Sequence, residues 1–282
     1  MGKRRSLVET RPHEQNRSRG LVSSRQSGRR VEARTYAPPD DLADVIATYW
    51  VGEWDLRGQV PHVTELLGDP CLHIAVEEGD MGTESRVVGV WTRLWKRTLE
   101  GRGRVFGVKL RAGGTRAFVD VPASRLANTI TPLADHFGED ATLLERAILS
   151  EAQEIEAFSR ISIWLRSHRR KEHAPGSRLA IALVARVAGD PTITTVERLS
   201  VVAGLHKRVL ERLFFDHVGA TPKLVIRRNR LQEVALRIER GEAPSLADLA
   251  VELGYTDQAH LSRDFKSATG KTPREFGLAV HG

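Results

Sequence analysis

Apolar positions fall into short runs in the first half of the chain and recur at helical spacing in the second. Leu72–Val76, Val87–Val90 and Val105–Leu110 have strand length and β-branched content, with Gly79, Gly101, Gly103, Gly113 and Gly114 between them as turn signals. Asp41–Val51 and Pro122–Ala127 carry the spacing of short helices. From residue 141 the period changes. Leu143, Leu144, Ala147 and Ile148 make one stripe, and Ile155, Phe158, Ile161, Trp164 and Leu165 another. His168–Ser177 is polar and contains Pro175 and Gly176, which predicts a linker ending in a helix breaker. Residues 176–282 read as helix throughout, led by a helix with Leu179, Ile181, Leu183, Val184 and Val187. The pattern predicts an α+β chain: a mixed, mostly β domain over residues 35–172 and an all-α domain over 173–282.

The all-α part repeats itself. Leu199 and Gly204 recur 50 residues later as Leu249 and Gly254. Leu210, Arg212, Phe214 and Gly219–Pro222 recur 51 residues later as Leu261, Arg263, Phe265 and Gly270–Pro273. The second turn is therefore one residue longer. Each copy has a short helix, Val196–Ala203 or Leu246–Leu253, with Thr195 or Ser245 where an N-cap belongs. Ser245 with Asp248 has the spacing of a capping box. Gly204 and Gly254 can adopt the positive φ needed to leave a helix abruptly, and a second helix follows each. Two helices joined by a short turn containing Gly describe a helix-turn-helix unit, here at 195–218 and 245–269.

The second helix of each copy sorts its side chains by face. Val209, Leu210, Leu213 and Phe214 are the apolar side in the first, and Leu261, Phe265 and Ala268 in the second. The opposite faces carry Lys207, Arg208, Glu211 and Arg212, and Gln258, Ala259, Ser262 and Arg263. These side chains suit base edges in a major groove: Arg for guanine, Gln for adenine, Ala for a thymine methyl. A bundle with two solvated faces is the plainer alternative, and the register of the two faces across the repeat tells against it. A long helix beginning near Pro222 joins the copies, with Leu224, Leu231, Val234, Ala235 and Ile238 at helical spacing. About 19 residues give a rod of roughly 28 Å, close to the ~34 Å between successive major grooves. Arg227, Arg228 and Arg230 on that rod, with Lys266, are candidates for DNA backbone contacts.

Charge supports a polyanion partner. The chain has 282 residues and a net charge of +7, distributed as net +7 over residues 1–34, −4 over 35–175 and +4 over 176–282. Residues 1–34 are rich in Arg, Ser and Gly, and predict a disordered basic arm. It is either a passive tail or a source of non-specific DNA affinity. No apolar run is long enough for a bilayer. The basic N-terminus has no apolar segment behind it. A lone Cys71 excludes a disulfide framework and any multi-cysteine zinc site. A cytoplasmic protein without a membrane partner is expected.

The C-terminal residues resemble the DNA-binding domain of the AraC/XylS family of bacterial transcription regulators. Gly204–Phe214, Gly219–Pro222, Arg230, Leu231 and Ile238 carry the resemblance in the first part, and Leu249–Gln258, Leu261–Lys266 and Gly270–Phe276 in the second. Val225 stands where that family usually has Tyr, and Gly277 where it often has Arg, which alters packing under the linking helix and removes a phosphate contact. Leu42–Trp50 with Trp54, Gly107–Gly114 and Val121–Asn128, leading to Leu133, Phe137 and Gly138, resemble sensor domains of a subset of the family. That resemblance implies a cupin-like domain that binds a small effector or dimerises. The implied protein is a sequence-specific DNA-binding transcription regulator. Its expected partner is double-stranded DNA; RNA polymerase, a small-molecule effector and a second copy of the chain are further candidates.

Rival readings rest on fewer residues. His62, Glu65 and His73 could form a metal set, but no compact His-x-His pair is present, and no metal or other cofactor is expected. Pro70–His73 superficially resembles the reactive-cysteine motif of alkyl-transfer repair proteins, with the residue order wrong and the zinc cysteines absent, so an inert buried Cys71 is expected. Trp50, Trp54, Trp91 and Trp95 are core residues or the lining of an apolar pocket. A metal- or cysteine-dependent enzyme fused to a DNA-binding domain would need one of these sets, and no catalytic residue is assigned. An architectural DNA binder without ligand control would show little preference among sequences.

Overall fold

A computed structural model describes residues 31–67, 70–242 and 245–281. Eight strands come first: β1 Val31–Tyr36, β2 Ile46–Asp55, β3 His62–Leu66, β4 His73–Gly79, β5 Gly82–Val88, β6 Trp95–Leu99, β7 Arg102–Leu110 and β8 Ile130–Pro132. Six form an antiparallel sheet in the order β1-β2-β7-β4-β5-β8, and β3 pairs with β6 in a separate ribbon. The mostly β N-terminal part and the helical remainder agree with the expected α+β class.

The two faces of the sheet bury different things. Along β2, Tyr49 and Val51 join the core that also holds Phe106, Val108 and Leu110 of β7. Helices α2 (Glu139–Leu149) and α3 (Glu154–Ser167) close this face with Leu144, Ile148, Phe158, Ile161 and Leu165; a short α1 (Ala134–Phe137) precedes them. Phe158 stacks on Tyr49 at 5.0 Å between ring centres. The other face packs Trp54, Ala75 and Val105 with Leu99 of the ribbon. On that face a Cβ at Gly107 would lie 1.9 Å from the Trp50 ring, and one at Gly103 would lie 2.2 Å from Trp54. Gly103 is thus a packing position inside β7 rather than a turn; Gly101, with φ +60°, makes the turn before it.

Three expectations are corrected here. Residues 31–34, assigned to the basic arm, form part of β1, and Arg34 binds Glu53 and Glu154 at 2.5 Å each. Residues 1–30 of that arm lie outside the described residues. The helix expected over Asp41–Val51 is a turn followed by strand β2. Its second half is aromatic and β-branched, and pairing with β1 and β7 on both edges overrides the local helical spacing. Pro175 does not end a segment: it sits in the first turn of α4 (Ala174–Gly189), where a missing N–H costs nothing.

The remaining helices are α5 Val196–Ala203, α6 Lys207–Leu213, α7 Pro222–Glu239, α8 Leu246–Glu252, α9 Gln258–Thr269 and α10 Pro273–His281. The 18 residues of α7 are a rod of about 27 Å. Its first half contributes Val225 and Ile226 to one core, with Leu183, Leu199, Leu210, Phe214 and Val218. Its second half contributes Leu231, Val234 and Ile238 to another, with Leu249, Leu261, Phe265 and Phe276.

The sequence boundary near residue 173 is not a boundary in packing. Val90, from the loop after β5, is fully buried in the first of these helical cores. Asn128 holds that loop: it adopts a left-handed φ of 59° and its Oδ1 accepts from the Thr92 amide at 3.0 Å. Gly219, also left-handed, sits so close to Ala123 that a Cβ would be 2.7 Å from its carbonyl oxygen.

Candidate nucleic-acid interface

Each helix-turn-helix unit is built by the same local devices. Thr195 Oγ1 accepts from the Arg198 amide at 3.1 Å, and Ser245 Oγ from the Asp248 amide at 3.3 Å, so both expected N-caps are in place. Such caps are each worth about 1 kcal/mol. Gly204 and Gly254 turn the chain with φ of 62° and 72°. Asp257 then caps α9 through the His260 amide at 2.7 Å, and His206 caps α6 with a longer 3.4 Å contact from the Arg208 amide.

The reading faces are on the surface. Lys207, Arg208, Glu211, Arg212, Gln258, Ala259 and Arg263 are exposed and Ser262 is half-buried, while Leu210, Phe214, Leu261 and Phe265 are fully buried beneath them. Val209, expected on the inner side, is 41% exposed. Lys207 is tethered to Glu197 of α5 at 3.0 Å, which holds its ammonium above its ordinary pKa through the side-chain hydrogen bond. Arg208, Arg212 and Arg263 have no carboxylate in ion-pair range among the described residues. Lys266 is exposed at the far end of α9.

The linker arginines, expected as phosphate contacts, also make contacts within the protein. Arg227 Nε binds Asp264 of α9 at 2.6 Å, and Tyr255 donates to the other Asp264 oxygen at 3.0 Å. Burial, reinforced by Asp264, pushes the Tyr255 hydroxyl pKa well above the ordinary phenol value. Arg228 is buried and donates to the Leu67 carbonyl of the β domain at 2.7 Å. Arg230 lies 4.6 Å over the Tyr255 ring and donates to the Leu253 and Gly254 carbonyls. All three arginines turn toward neighbouring elements because α7 is enclosed by both units and by the β domain.

The two reading helices are anchored differently. Asp264 ties α9 to α7, as above. In the first unit, α6 runs into a π turn at Phe214–Val218, closed by the Gly219 amide on the Phe214 carbonyl at 2.9 Å. Asp216 of that turn binds Arg116 of the β domain at 3.0 Å. His217 beside it is buried, with Ser177 Oγ 3.2 Å from its Nδ1, and burial lowers its pKa below the usual histidine value. Asp216, Arg116 and Asp264 were not singled out in the sequence. Their pairings span 100 and 37 residues, and no local spacing announces them.

Residues 199–278 match the family described as a helix-turn-helix domain. The C-terminal region is an AraC-type helix-turn-helix domain. Residues 34–132 match a family described as a domain of unknown function, DUF6597. An uncharacterized HTH-type transcriptional regulator of Haemophilus influenzae is 28% identical over 103 residues, 36% of this chain and 34% of its own length. The XylDLEGF operon transcriptional activator of Pseudomonas putida is 29% identical over 83 residues, 29% of this chain and 26% of its own. The probable transcription factor PqrA of Proteus vulgaris is 31% identical over 81 residues, 29% of this chain and 66% of its own. The chain thus spans about a third and a quarter of the length of the first two. Among solved structures, ToxT from Vibrio cholerae O395 aligns with a TM-score of 0.36 at 12% identity, covering 75% of this chain and 89% of ToxT.

In the domain that precedes the AraC-type units, the other candidate residues are dispersed. Glu65 pairs with Lys96 at 2.6 Å and His73 lies edge-on to Trp50. No group of three or more His, Cys, Asp or Glu side chains placed to hold a metal occurs among the described residues. Cys71 is buried. Trp54 lines an open polar groove of about 1330 Å³ at one end of the sheet, with Glu53, Asp55, Glu78 and Arg104. Trp91 lines a cleft of about 190 Å³ between the β domain and helices α7 and α9. No helix among the described residues is long and apolar enough to cross a membrane.

Proposed function

We propose that this chain is a sequence-specific DNA-binding transcription regulator whose two AraC-type units enter adjacent major grooves of one duplex. The observation that carries the reading is the repeated, exposed reading face. Lys207, Arg208, Glu211 and Arg212 are matched 51 positions later by Gln258, Ala259, Ser262 and Arg263. The faces sit on either side of a helix long enough to hold the units about one groove repeat apart. Lys266 at the end of α9 and the half-buried Arg227 and Arg230 are the backbone-contact candidates, with Arg228 buried against Leu67. The curated relatives, all named as transcription factors or regulators, support the same reading.

The β domain, which the expected bounds 35–172 describe once Val31–Arg34 of β1 are added, serves as the sensor or dimerisation part, and the helical residues 173–282 as the DNA-binding part. RNA polymerase, a small effector and a second copy are the partners this division calls for, with the cytoplasm as its place of action. The test is selection of bound duplexes from random sequence by the full chain. The expected result is a motif of two half-sites about 10 base pairs apart. Equal binding to all duplexes would sink the reading and leave an architectural binder.

A further inference from the structure

The two reading faces are in register but differ in chemistry. Position by position, Lys207 stands against Gln258, Arg208 against Ala259, Glu211 against Ser262 and Arg212 against Arg263. Only the last pair is shared. On the first helix, Lys207 is drawn back toward Glu197 and also feels Glu211, which leaves Arg208 and Arg212 as the charged groups of the face without an ion pair among the described residues. On the second, the one cation is Arg263, and the rest of the face is an amide, a methyl and a hydroxyl.

We infer that the two half-sites differ in kind: the first unit selects guanines through Arg208 and Arg212, and the second selects an A·T pair through Gln258 and Ala259 beside a single guanine read by Arg263. This rests on the DNA-binding reading above. The chemistry is that of base edges in the major groove. A guanidinium donates two bonds to guanine O6 and N7. A glutamine amide both donates to and accepts from adenine, and a small methyl packs on the thymine methyl. Arg208 and Arg212 are four residues apart, a rise of about 6 Å, so their guanines lie within about two base-pair steps of ~3.4 Å. Glu211 lies between them on the face, where its carboxylate accepts from a cytosine amino group and opposes a phosphate.

The experiment is the same duplex selection with the full chain and with Arg208→Ala and Gln258→Ala, each variant first shown by circular dichroism to keep the wild-type helical signal. Arg208→Ala should relax guanine preference about 10-fold at one position of one half-site and leave the other half-site unchanged. Gln258→Ala should relax adenine preference by a similar factor in the other half-site. Two half-sites of the same composition would overturn the inference and leave DNA reading intact. So would an Arg208→Ala effect that falls in the A·T-containing half. A chain that selects no sequence at all overturns the regulator reading, and this inference with it.

Discussion

The two helix-turn-helix units share a repeat but not a foundation. The second is self-contained. Its core draws only on α7 to α10 and the turns between them, and its reading helix is held by Asp264 on Arg227 of the neighbouring α7. The first is grafted onto the β domain. Its core includes Val90 from the loop after β5, its reading helix ends in a turn held by Arg116, and Gly219 packs on Ala123. Two copies of one pattern therefore respond to different parts of the molecule. Whatever displaces the β domain takes a buried side chain out of the first core, whereas the second unit meets that domain across the Trp91 cleft and through Arg228 of α7.

The sharpest way to break this comparison is to remove the β domain. The sequence alone suggests that residues 176–282 fold by themselves, since both units and their connecting helix lie within them. The structure expects an uneven result. Loss of Val90 forfeits a buried valine worth about 1.5–3 kcal/mol and opens the first core to water. Hydrogen exchange on the isolated fragment should show α8 to α10 protected and α5 and α6 exchanging much faster. Equal protection in both units would erase the asymmetry.

Next in size is the Asp264 anchor. Asp264→Ala strands Arg227 and the Tyr255 hydroxyl, and should cost about 1–3 kcal/mol in a denaturant melt, the range for hydrogen bonds to charged groups. Asp216→Ala removes the corresponding anchor of the first unit. Asp216 is more exposed than Asp264, and Arg116 keeps Asp120 as a second partner, so its cost should be below about 1 kcal/mol. Its effect should instead appear as weaker protection of one half-site in footprinting. If the two substitutions cost the same, the anchors are equivalent after all.

The smallest expected effect is a pH dependence confined to one unit. His217 is buried in the first unit, and its repeat partner is Ala268. Desolvation holds the His217 pKa below the ordinary histidine value of 6.5, so the unfolded chain binds a proton that the folded chain resists. Stability is therefore present above pH 6.5 and declines as the pH falls from 6.5 toward the depressed folded value. Burial lowers the pKa of His136 of α1 in the same direction, so only the difference between the native chain and His217→Gln reports on His217; Glu77 and Glu154 titrate below this window. Burial works to raise both carboxyls, but Arg97 and Arg86 around Glu77, and Arg34 with Tyr36 around Glu154, outweigh it. Their contribution is lost only below about pH 4.5, the ordinary glutamate value. Melting temperature followed from pH 7 to pH 5.5 should fall for the native chain and fall less for His217→Gln. An identical slope would place the titrating group elsewhere.

What could be read from the sequence follows from where the information lies. The repeat, both N-caps, both left-handed glycines and the outward faces of the two second helices could be found because a helix fixes its faces by local spacing. The strands were harder to find. β2 hides behind a helical spacing at Asp41–Val51 that only pairing on both edges overrules, and β1 begins inside a stretch whose composition predicts disorder. The linker arginines show the same limit from the opposite side. The spacing of a cation on a helix gives no sign of the Asp264, Leu67 or Tyr255 that the structure places beside it. Nothing between residues 86 and 94 hints that Val90 completes a core built from residues beyond 180, because such a partner is set by tertiary packing.

The π turn at Phe214–Val218 also limits how far the two units are interchangeable parts. Residues 207–213 and 258–264 are both α-helical and can trade side chains position by position. Beyond Leu213 they cannot, because a turn closed between residues five apart brings its side chains round at a different angle from the unbroken α9. A graft that moves one reading face onto the other scaffold must therefore stop at Arg212, or at Arg263. Leu213 and Asp264 stay in place, since one packs in the first core and the other holds Arg227. For anyone recombining the two units, the seam lies where the hydrogen-bond ladder changes, not where the two copies cease to look alike.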